Sequence, residues 1–194
     1  MSEIFLGFIA DWGYFAVALL MAAENACIPI PSELILGFAG FLVSTGQMSF
    51  NGALWAGMAG GMIGSIFAYY VGHRGGRKFV DRYGHYFLVK QSHVDLAQRW
   101  FDKYGLKAVF FSRLLPVVRT FISLPAGFAH VDMKQFLILT FLGSLPWTAL
   151  IIWGGELLGD NWEYLLKIGH NASLLFVAVV VIGGAFWYFK KKKR

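Results

Sequence analysis

Long apolar stretches alternate with short polar segments along the whole chain. Because a helix needs about 20 apolar residues to cross a bilayer, the stretches 50–72, 135–158 and 171–189 are predicted to be spanning helices. The pattern therefore predicts an all-α integral membrane protein. The apolar stretches cover about 4–23, 34–45, 50–72, 106–128, 135–158 and 171–189.

Two of the apolar regions are interrupted by prolines and charged residues. Proline removes a backbone donor and clashes with the preceding turn, so it predicts a break in a helix. A broken helix at membrane depth persists only where protein or a polar cavity surrounds the freed backbone groups. We therefore predict two re-entrant helix–break–helix hairpins, over residues 12–46 and 104–129. The breaks are assigned to Pro29, Pro31, Pro116 and Pro125.

Short motifs recur in the same order in the two halves of the chain. Each half then reads as a hairpin followed by a span, with repeat 1 over 12–72 and repeat 2 over 104–159. Two such units of opposite orientation form an inverted repeat, and proline-interrupted segments at matching places point to a transporter's midplane site. The aligned motifs are Trp12-Gly13-Tyr14 with Tyr104-Gly105-Leu106 and Ala39-Gly40-Phe41 with Ala126-Gly127-Phe128.

The basic residues are clustered, and their positions predict the topology. No Lys or Arg precedes Arg74, whereas the linker 73–103 and the tail 190–194 are rich in both. Cytoplasmic loops carry such an excess, so the linker and the C-terminus are predicted to be cytoplasmic and the N-terminus extracytoplasmic. The linker either binds anionic lipids of the inner leaflet or only sets the topology. Residues 1–194 are treated as a single membrane domain.

The composition supports a membrane protein and excludes several other classes. The chain has 57% hydrophobic and 14% charged residues with a formal net charge of +6, whereas soluble domains have about 25% charged residues. The single Cys27 excludes an internal disulfide. No Walker A, nucleophile-elbow or zinc-protease motif is present. We therefore expect no enzyme activity, no cofactor, no metal and no nucleic-acid partner, and a homo-oligomer is left open.

Glu24 and Glu33 flank the first predicted break. Placing a charge at membrane depth costs about 2.5–3.5 kcal/mol on insertion scales, which makes such acids functional candidates. They could bind protons, a cation or an amine, or pair with arginines from the other hairpin. Glu33 could instead only stabilise the start of the following half-helix, where a negative charge is favourable.

Arg113 and Arg119 lie on either side of Pro116 in the second predicted hairpin. A guanidinium group stays charged and binds phosphate oxygens in a bidentate fork. Freed backbone N–H groups at a broken helix would add further donors to such a site. The two arginines are therefore predicted to bind a substrate phosphate. The alternative is an Arg–Glu lattice that joins the two hairpins, and a resting salt bridge could also be exchanged for phosphate.

These motifs resemble the DedA family, also called the SNARE-associated or VTT domain, over about residues 10–160. The resemblance implies an inverted repeat of re-entrant and spanning helices, with members that translocate lipids. It places the family's essential acids on Glu24 and Glu33 and its essential arginines on Arg113 and Arg119. Some members have Asp at the position of Glu33. The matching motifs are Glu24-Asn25, Pro29-Ile30-Pro31-Ser32-Glu33, Phe111-Ser112-Arg113-Leu114-Leu115-Pro116-Val117-Val118-Arg119 and Ala126-Gly127.

The leading functional hypothesis is a lipid translocase of the bacterial plasma membrane. The resemblance suggests undecaprenyl phosphate as the substrate, moved between leaflets for recycling of the lipid carrier. In this hypothesis Arg113 and Arg119 hold the phosphate, and Glu24 and Glu33 couple its movement to protons. The alternatives are a phospholipid transporter or scramblase, for example for phosphatidylethanolamine, and a proton-coupled transporter of small cations.

Overall fold

The chain folds into helices, without a strand, over the residues that the computed structural model describes, which are 2–28, 30–83, 99, 101, 103–114, 118–161 and 164. The all-α prediction is confirmed for this part of the chain. The helices bounded within it are α1 (Ser2–Asn25), α2 (Ser32–Ser44), α3 (Phe50–Tyr83), α4 (Lys107–Arg113), α5 (Val118–Phe121), α6 (Ser123–Phe128) and α7 (Met133–Leu158), and a 3₁₀ turn over Gly159–Asn161 follows.

Three helical segments are long and apolar enough to cross a bilayer. They are Ile4–Asn25, Phe50–Gly75 and Met133–Asn161, with mean hydropathies of 1.9, 1.3 and 1.9. Large apolar side chains on these segments, such as Ile63 and Trp153, are more than half exposed. An outward apolar surface of this kind suits contact with lipid tails.

The helices α3 and α7 contain the predicted spans 50–72 and 135–158, respectively. The first residues of the predicted linker 73–103 continue α3 as far as Tyr83. The predicted last span 171–189 and the tail 190–194 lie outside the described residues.

The first predicted hairpin has a helix–break–helix form. The helix α1 begins before position 12, but it is interrupted at Gly13, where φ is 54° and ψ is −128°. Such a backbone conformation is one that glycine adopts readily. The helix then ends at Asn25, and Pro31 caps the start of α2 with extended backbone angles. Pro31 therefore lies at the predicted break, whereas Pro29 is outside the described residues.

The second predicted hairpin is made of shorter helices. Gly105 precedes it with a φ of 59°, and α4 ends at Arg113. Pro116 is outside the described residues, but the helices on either side of it are separate. The prediction for Pro125 needs correction, because this residue lies inside α6. The first turn of a helix accommodates proline, since its N–H would have no partner there.

The helices α3 and α7 each pack against helices of both predicted hairpins, and the contacts are made at glycines. A Cβ atom at Gly60 of α3 would collide with the carbonyl group of Ala18 in α1. On the other side of α3, a Cβ atom at Gly127 of α6 would lie 3.0 Å from the Cα atom of Gly72. Small residues let backbones approach this closely in membrane proteins. The helix α3 is thus held between the first arm of the first hairpin and the last arm of the second.

The helix α7 also packs against one helix from each predicted hairpin, α4 and α2. A Cβ atom at Gly143 would lie 2.7 Å from the Cβ atom of Arg113 in α4, and one at Gly40 of α2 would lie 2.9 Å from the Cα atom of Gly155. The helix α7 is therefore held between the first arm of the second hairpin and the second arm of the first.

Candidate functional site

Buried polar side chains collect where the two helix breaks meet. The breaks touch through the Cys27 thiol, which donates to the carbonyl oxygen of Thr120 at 3.9 Å. The side chains come from α1, α3 and the four helices between Lys107 and Leu158. We call this set the polar cluster, and it consists of Glu24, Asn25, Ser65, Arg113, Arg119, Ser123, Thr140 and Thr148, all of them buried.

Arg113 is the most connected side chain of the polar cluster. It is 1% exposed, and its Nη1 atom donates to Oδ1 of Asn25 at 3.1 Å and to the carbonyl oxygen of Arg119 at 2.7 Å. Its Nη2 atom lies within hydrogen-bond distance of three hydroxyl groups from three different helices, which share its two hydrogens, so Arg113 joins most of the elements around it. These hydroxyls are Ser65 at 3.1 Å, Ser123 at 2.7 Å and Thr140 at 3.3 Å.

Asn25 connects Arg113 to Glu24. Its Nδ2 atom donates to Oε2 of Glu24 at 2.5 Å, while its Oδ1 atom accepts from Arg113. The second carboxylate oxygen of Glu24 accepts a hydrogen bond of 2.9 Å from the Thr120 hydroxyl. Within the described ranges, no ion pair of 4.0 Å or less joins Glu24 to either arginine. Hydrogen bonds link the two predicted hairpins, but neutral Asn25 and Thr120 bridge between the charged groups in place of the direct Arg–Glu contact considered as an alternative.

Arg119 is as deeply buried as Arg113, but its guanidinium group is not saturated. It is 2% exposed, and neither Nε nor Nη1 has a hydrogen-bond partner in the described part of the chain. Its Cζ atom lies 5.6 Å from the ring centroid of Trp147. A small cavity beside it is also lined by the polar side chains of Asn25, Ser144 and Thr148. Arg119 thus has unused donors beside a small cavity that methionine side chains also line.

Glu33 is placed differently from Glu24. It lies in the first turn of α2 and is partly buried. No side chain caps this helix with a hydrogen bond, and no hydrogen bond between Glu33 and the polar cluster is found among the residues described. The structure therefore brings together Glu24, Arg113 and Arg119 around the two breaks, with Glu33 outside their hydrogen-bond network.

Sequence reasoning missed the hydroxyl groups of the spanning helices. Thr140, Ser144 and Thr148 recur every fourth position in α7, so they lie on one face of an otherwise apolar helix. In α3 a buried hydroxyl, that of Ser65, directly follows Gly64. A stripe of hydroxyls at this spacing in an apolar span was a usable signal, because such residues hydrogen-bond between membrane helices.

The histidines of the described ranges lie apart from the polar cluster. His73 and His130 are exposed, and their Nδ1 atoms pair with each other at 3.0 Å. Tyr69 stacks on His73, and its hydroxyl donates to the carbonyl oxygen of Val131. In the part of the chain that is described, no group of three or more His, Cys, Asp or Glu side chains could hold a metal ion.

Comparisons with known proteins give one consistent match. The model of the VTT domain matches residues 30–157. The chain is 41% identical to undecaprenyl phosphate transporter A of Bacillus subtilis, over all of this chain and 95% of that protein. It is 30% identical to undecaprenyl phosphate transporter A of Staphylococcus aureus, over all of this chain and 99% of that protein. It is also 37% identical to an "alkaline phosphatase-like protein" of Lactococcus lactis, over 99% and 94% of the two chains. No solved structure matches significantly.

Proposed function

This chain belongs to the VTT-domain (DedA) family, and from that premise we propose that it carries undecaprenyl phosphate between the leaflets of the bacterial plasma membrane. Two full-length relatives are named as transporters of this lipid. The apolar surface of the long helices would remain in contact with the polyprenyl tail, while only the phosphate enters the protein. Because only the phosphate would enter, the protein would need a polar path for this small group and no cavity that holds the polyprenyl tail.

We infer the inverted repeat of two re-entrant hairpins from the packing of the long helices. The helix α3 packs on α1 of its own half and α6 of the other, and α7 packs on α4 and α2 in the same way. The contact of α3 with α1 therefore corresponds to that of α7 with α4, and the contact of α3 with α6 corresponds to that of α7 with α2. Gly13 and Gly105, which align in the sequence, both take positive φ values, 54° and 59°, at the second residue of each predicted hairpin. With the basic linker inside, the hairpins would enter from opposite sides.

The observation that carries the proposal is the unsaturated guanidinium of Arg119. A buried charge without a partner is costly, so it is retained where something compensates it. The atoms without partners are donors, and the group that matches them is an anion with several acceptor oxygens. We therefore assign the phosphate to Arg119 and give Arg113, with its many protein contacts, the role of holding the site in shape.

Glu24 is the proposed coupling residue. Its carboxylate is bonded to Asn25, and the same Asn25 side chain accepts a hydrogen bond from Arg113. Protonation of Glu24 at the oxygen that faces Asn25 would remove the acceptor of the Asn25 amide. The change would then be passed to Arg113 through the Asn25 side chain. Glu33, outside this network, would exchange protons or contact the headgroup from the start of α2.

A phosphatase activity, which the names of the Lactococcus relatives suggest, has less support. Cleavage of a phosphate ester by a membrane enzyme of that type would use a histidine next to the arginines. Here His73 and His130 are exposed and pair with each other, whereas Arg113 and Arg119 are buried. We therefore propose transport without hydrolysis, and the absence of phosphate release from the lipid would be its first control.

The test compares Arg119→Gln with the wild-type protein in liposomes. The glutamine keeps a polar side chain but removes the charge, so we expect binding of undecaprenyl phosphate to weaken about tenfold or more and transport to fall with it. Native mass spectrometry measures binding, and the rate of appearance of the lipid in the second leaflet measures transport. The matched control is Arg74→Gln, since Arg74 is an exposed arginine of α3. Equal binding by the Arg119 variant and the wild type would contradict the proposal.

A further inference from the structure

The buried side-chain atoms that lack a partner within the described residues share one property, which is that all of them are donors. They are Arg113 Nε, Arg119 Nε, Arg119 Nη1 and Trp147 Nε1. A buried donor without a partner costs about 1–3 kcal/mol, so each such atom calls for an explanation. No buried side-chain acceptor of the described residues is left unmatched beside them. These donors are therefore open to an acceptor that is not one of the described side chains.

Trp147 differs from the other three atoms because it carries no charge. An indole group is only a donor, through its single N–H. In α7 it follows Pro146 and lies against Arg119, with the ring centroid 5.6 Å from the guanidinium carbon. The ring face attracts the guanidinium, but this contact leaves the indole N–H unused. Packing alone therefore explains the ring of Trp147 and leaves its nitrogen without an explanation.

We propose that the indole N–H of Trp147 is a specificity determinant that binds one oxygen of the substrate phosphate beside Arg119. This inference rests on the proposed function. Arg119 offers two unmatched nitrogens and Trp147 offers one, and a phosphate monoester has three non-bridging oxygens. A phosphodiester, the group found in most phospholipids, has one fewer. Trp147 therefore favours a lipid phosphate monoester over a phosphodiester lipid.

The direct test is Trp147→Phe, which keeps an aromatic ring against Arg119 and removes the N–H. Binding of undecaprenyl phosphate, a monoester, and phosphatidylglycerol, a diester, is measured by native mass spectrometry. We expect the variant to bind the monoester about tenfold more weakly and the diester as the wild type does, so the preference falls. The matched control is Trp153→Phe, because Trp153 is an exposed tryptophan of the same helix.

A second measurement uses the wild-type protein labelled with ¹⁵N at the tryptophan indoles. Addition of the monoester lipid should shift the indole N–H resonance that disappears in Trp147→Phe and leave that of Trp153 in place. An unmoved Trp147 resonance, or an unchanged monoester preference in a folded Trp147→Phe variant, overturns the inference and leaves the proposed function standing. If the wild type binds neither lipid, the proposed function fails and this inference fails with it.

Discussion

The polar cluster contains two buried arginines, Arg113 and Arg119, that differ in how many of their donors are hydrogen-bonded to the protein. Arg113 and Arg119 are exposed by only 1% and 2%. Arg113 donates five hydrogen bonds to protein groups, whereas Nε and Nη1 of Arg119 find no partner anywhere in the described ranges. One arginine is therefore part of the framework, whereas the other keeps donors that are free for the proposed phosphate.

The difference in hydrogen bonding suggests that Arg113 serves mainly the stability of the polar cluster and Arg119 mainly its proposed function. A buried arginine whose two Nη atoms are bonded to protein groups stabilises the fold through the groups that depend on it, because removing it leaves them unpaired. A buried arginine with fewer bonds contributes less, since the burial of its charge is compensated less fully. Binding sites are commonly destabilising in this way, and mutations that relieve the strain cost function. The predictions below test this division.

The largest expected effect is on the stability of an Arg113→Met variant. The change keeps an unbranched side chain but leaves Asn25 and three hydroxyls without their donor, so we expect a loss of about 3 kcal/mol or more in the free energy of unfolding. Arg119→Met should change it by about 1 kcal/mol or less, or raise it, because it removes an unpaired charge. Unfolding in detergent micelles measures both.

This pair of variants is its own control, since the two changes are chemically identical and both sites are buried. Similar losses in the two variants would show that Arg119 is as integrated as Arg113. The division of roles between Arg113 and Arg119 would then be wrong, whatever the effect on lipid binding.

A smaller effect is expected for Asn25→Ala. Asn25 accepts from Arg113 and donates to Glu24, and truncation leaves both without that partner, which should cost about 1–3 kcal/mol. Gln47→Ala is the control, because Gln47 is exposed and bonds only locally, to Thr45, and a change of about 0.5 kcal/mol or less is expected there. The same unfolding assay applies, and equal effects in both variants would remove Asn25 as the link between acid and arginine.

The smallest effect is expected for Thr120→Val, which removes one hydrogen bond to Glu24 and should cost about 1 kcal/mol. A double-mutant cycle with Glu24→Met isolates this contact. We expect the two changes together to be less harmful than their sum, by about 1 kcal/mol. Strict additivity would show that the Thr120 hydroxyl does not stabilise the Glu24 carboxylate.

The sequence predicts the framework of the molecule well, because its signals are local. The apolar spans in α3 and α7, and the break before α2 at Pro31, follow from runs of apolar residues and from proline geometry. Pro125 was misplaced because proline is compatible with the first turn of a helix, and the sequence alone does not say where that turn begins.

The roles of the two arginines could not be separated from the sequence. Both flank Pro116 in similar apolar surroundings, and nothing nearby in the chain distinguishes them. The side-chain groups that accept hydrogen bonds from Arg113 include Asn25 and Ser65, which are 88 and 48 positions away. The unused N–H of Trp147 could not be predicted for the same reason, because it is visible only once the neighbouring residues are in place.

The glycine contacts also determine how the molecule can move. Backbones that touch at Gly72–Gly127 and at Gly40–Gly155 leave no gap for side chains to rearrange. They join α1, α3 and α6 into one mechanical unit and α2, α4 and α7 into another. The seam between these units passes through the guanidinium of Arg113, which belongs to the second unit and is bonded to Asn25, Ser65 and Ser123 of the first. Any opening of the seam would have to break those bonds.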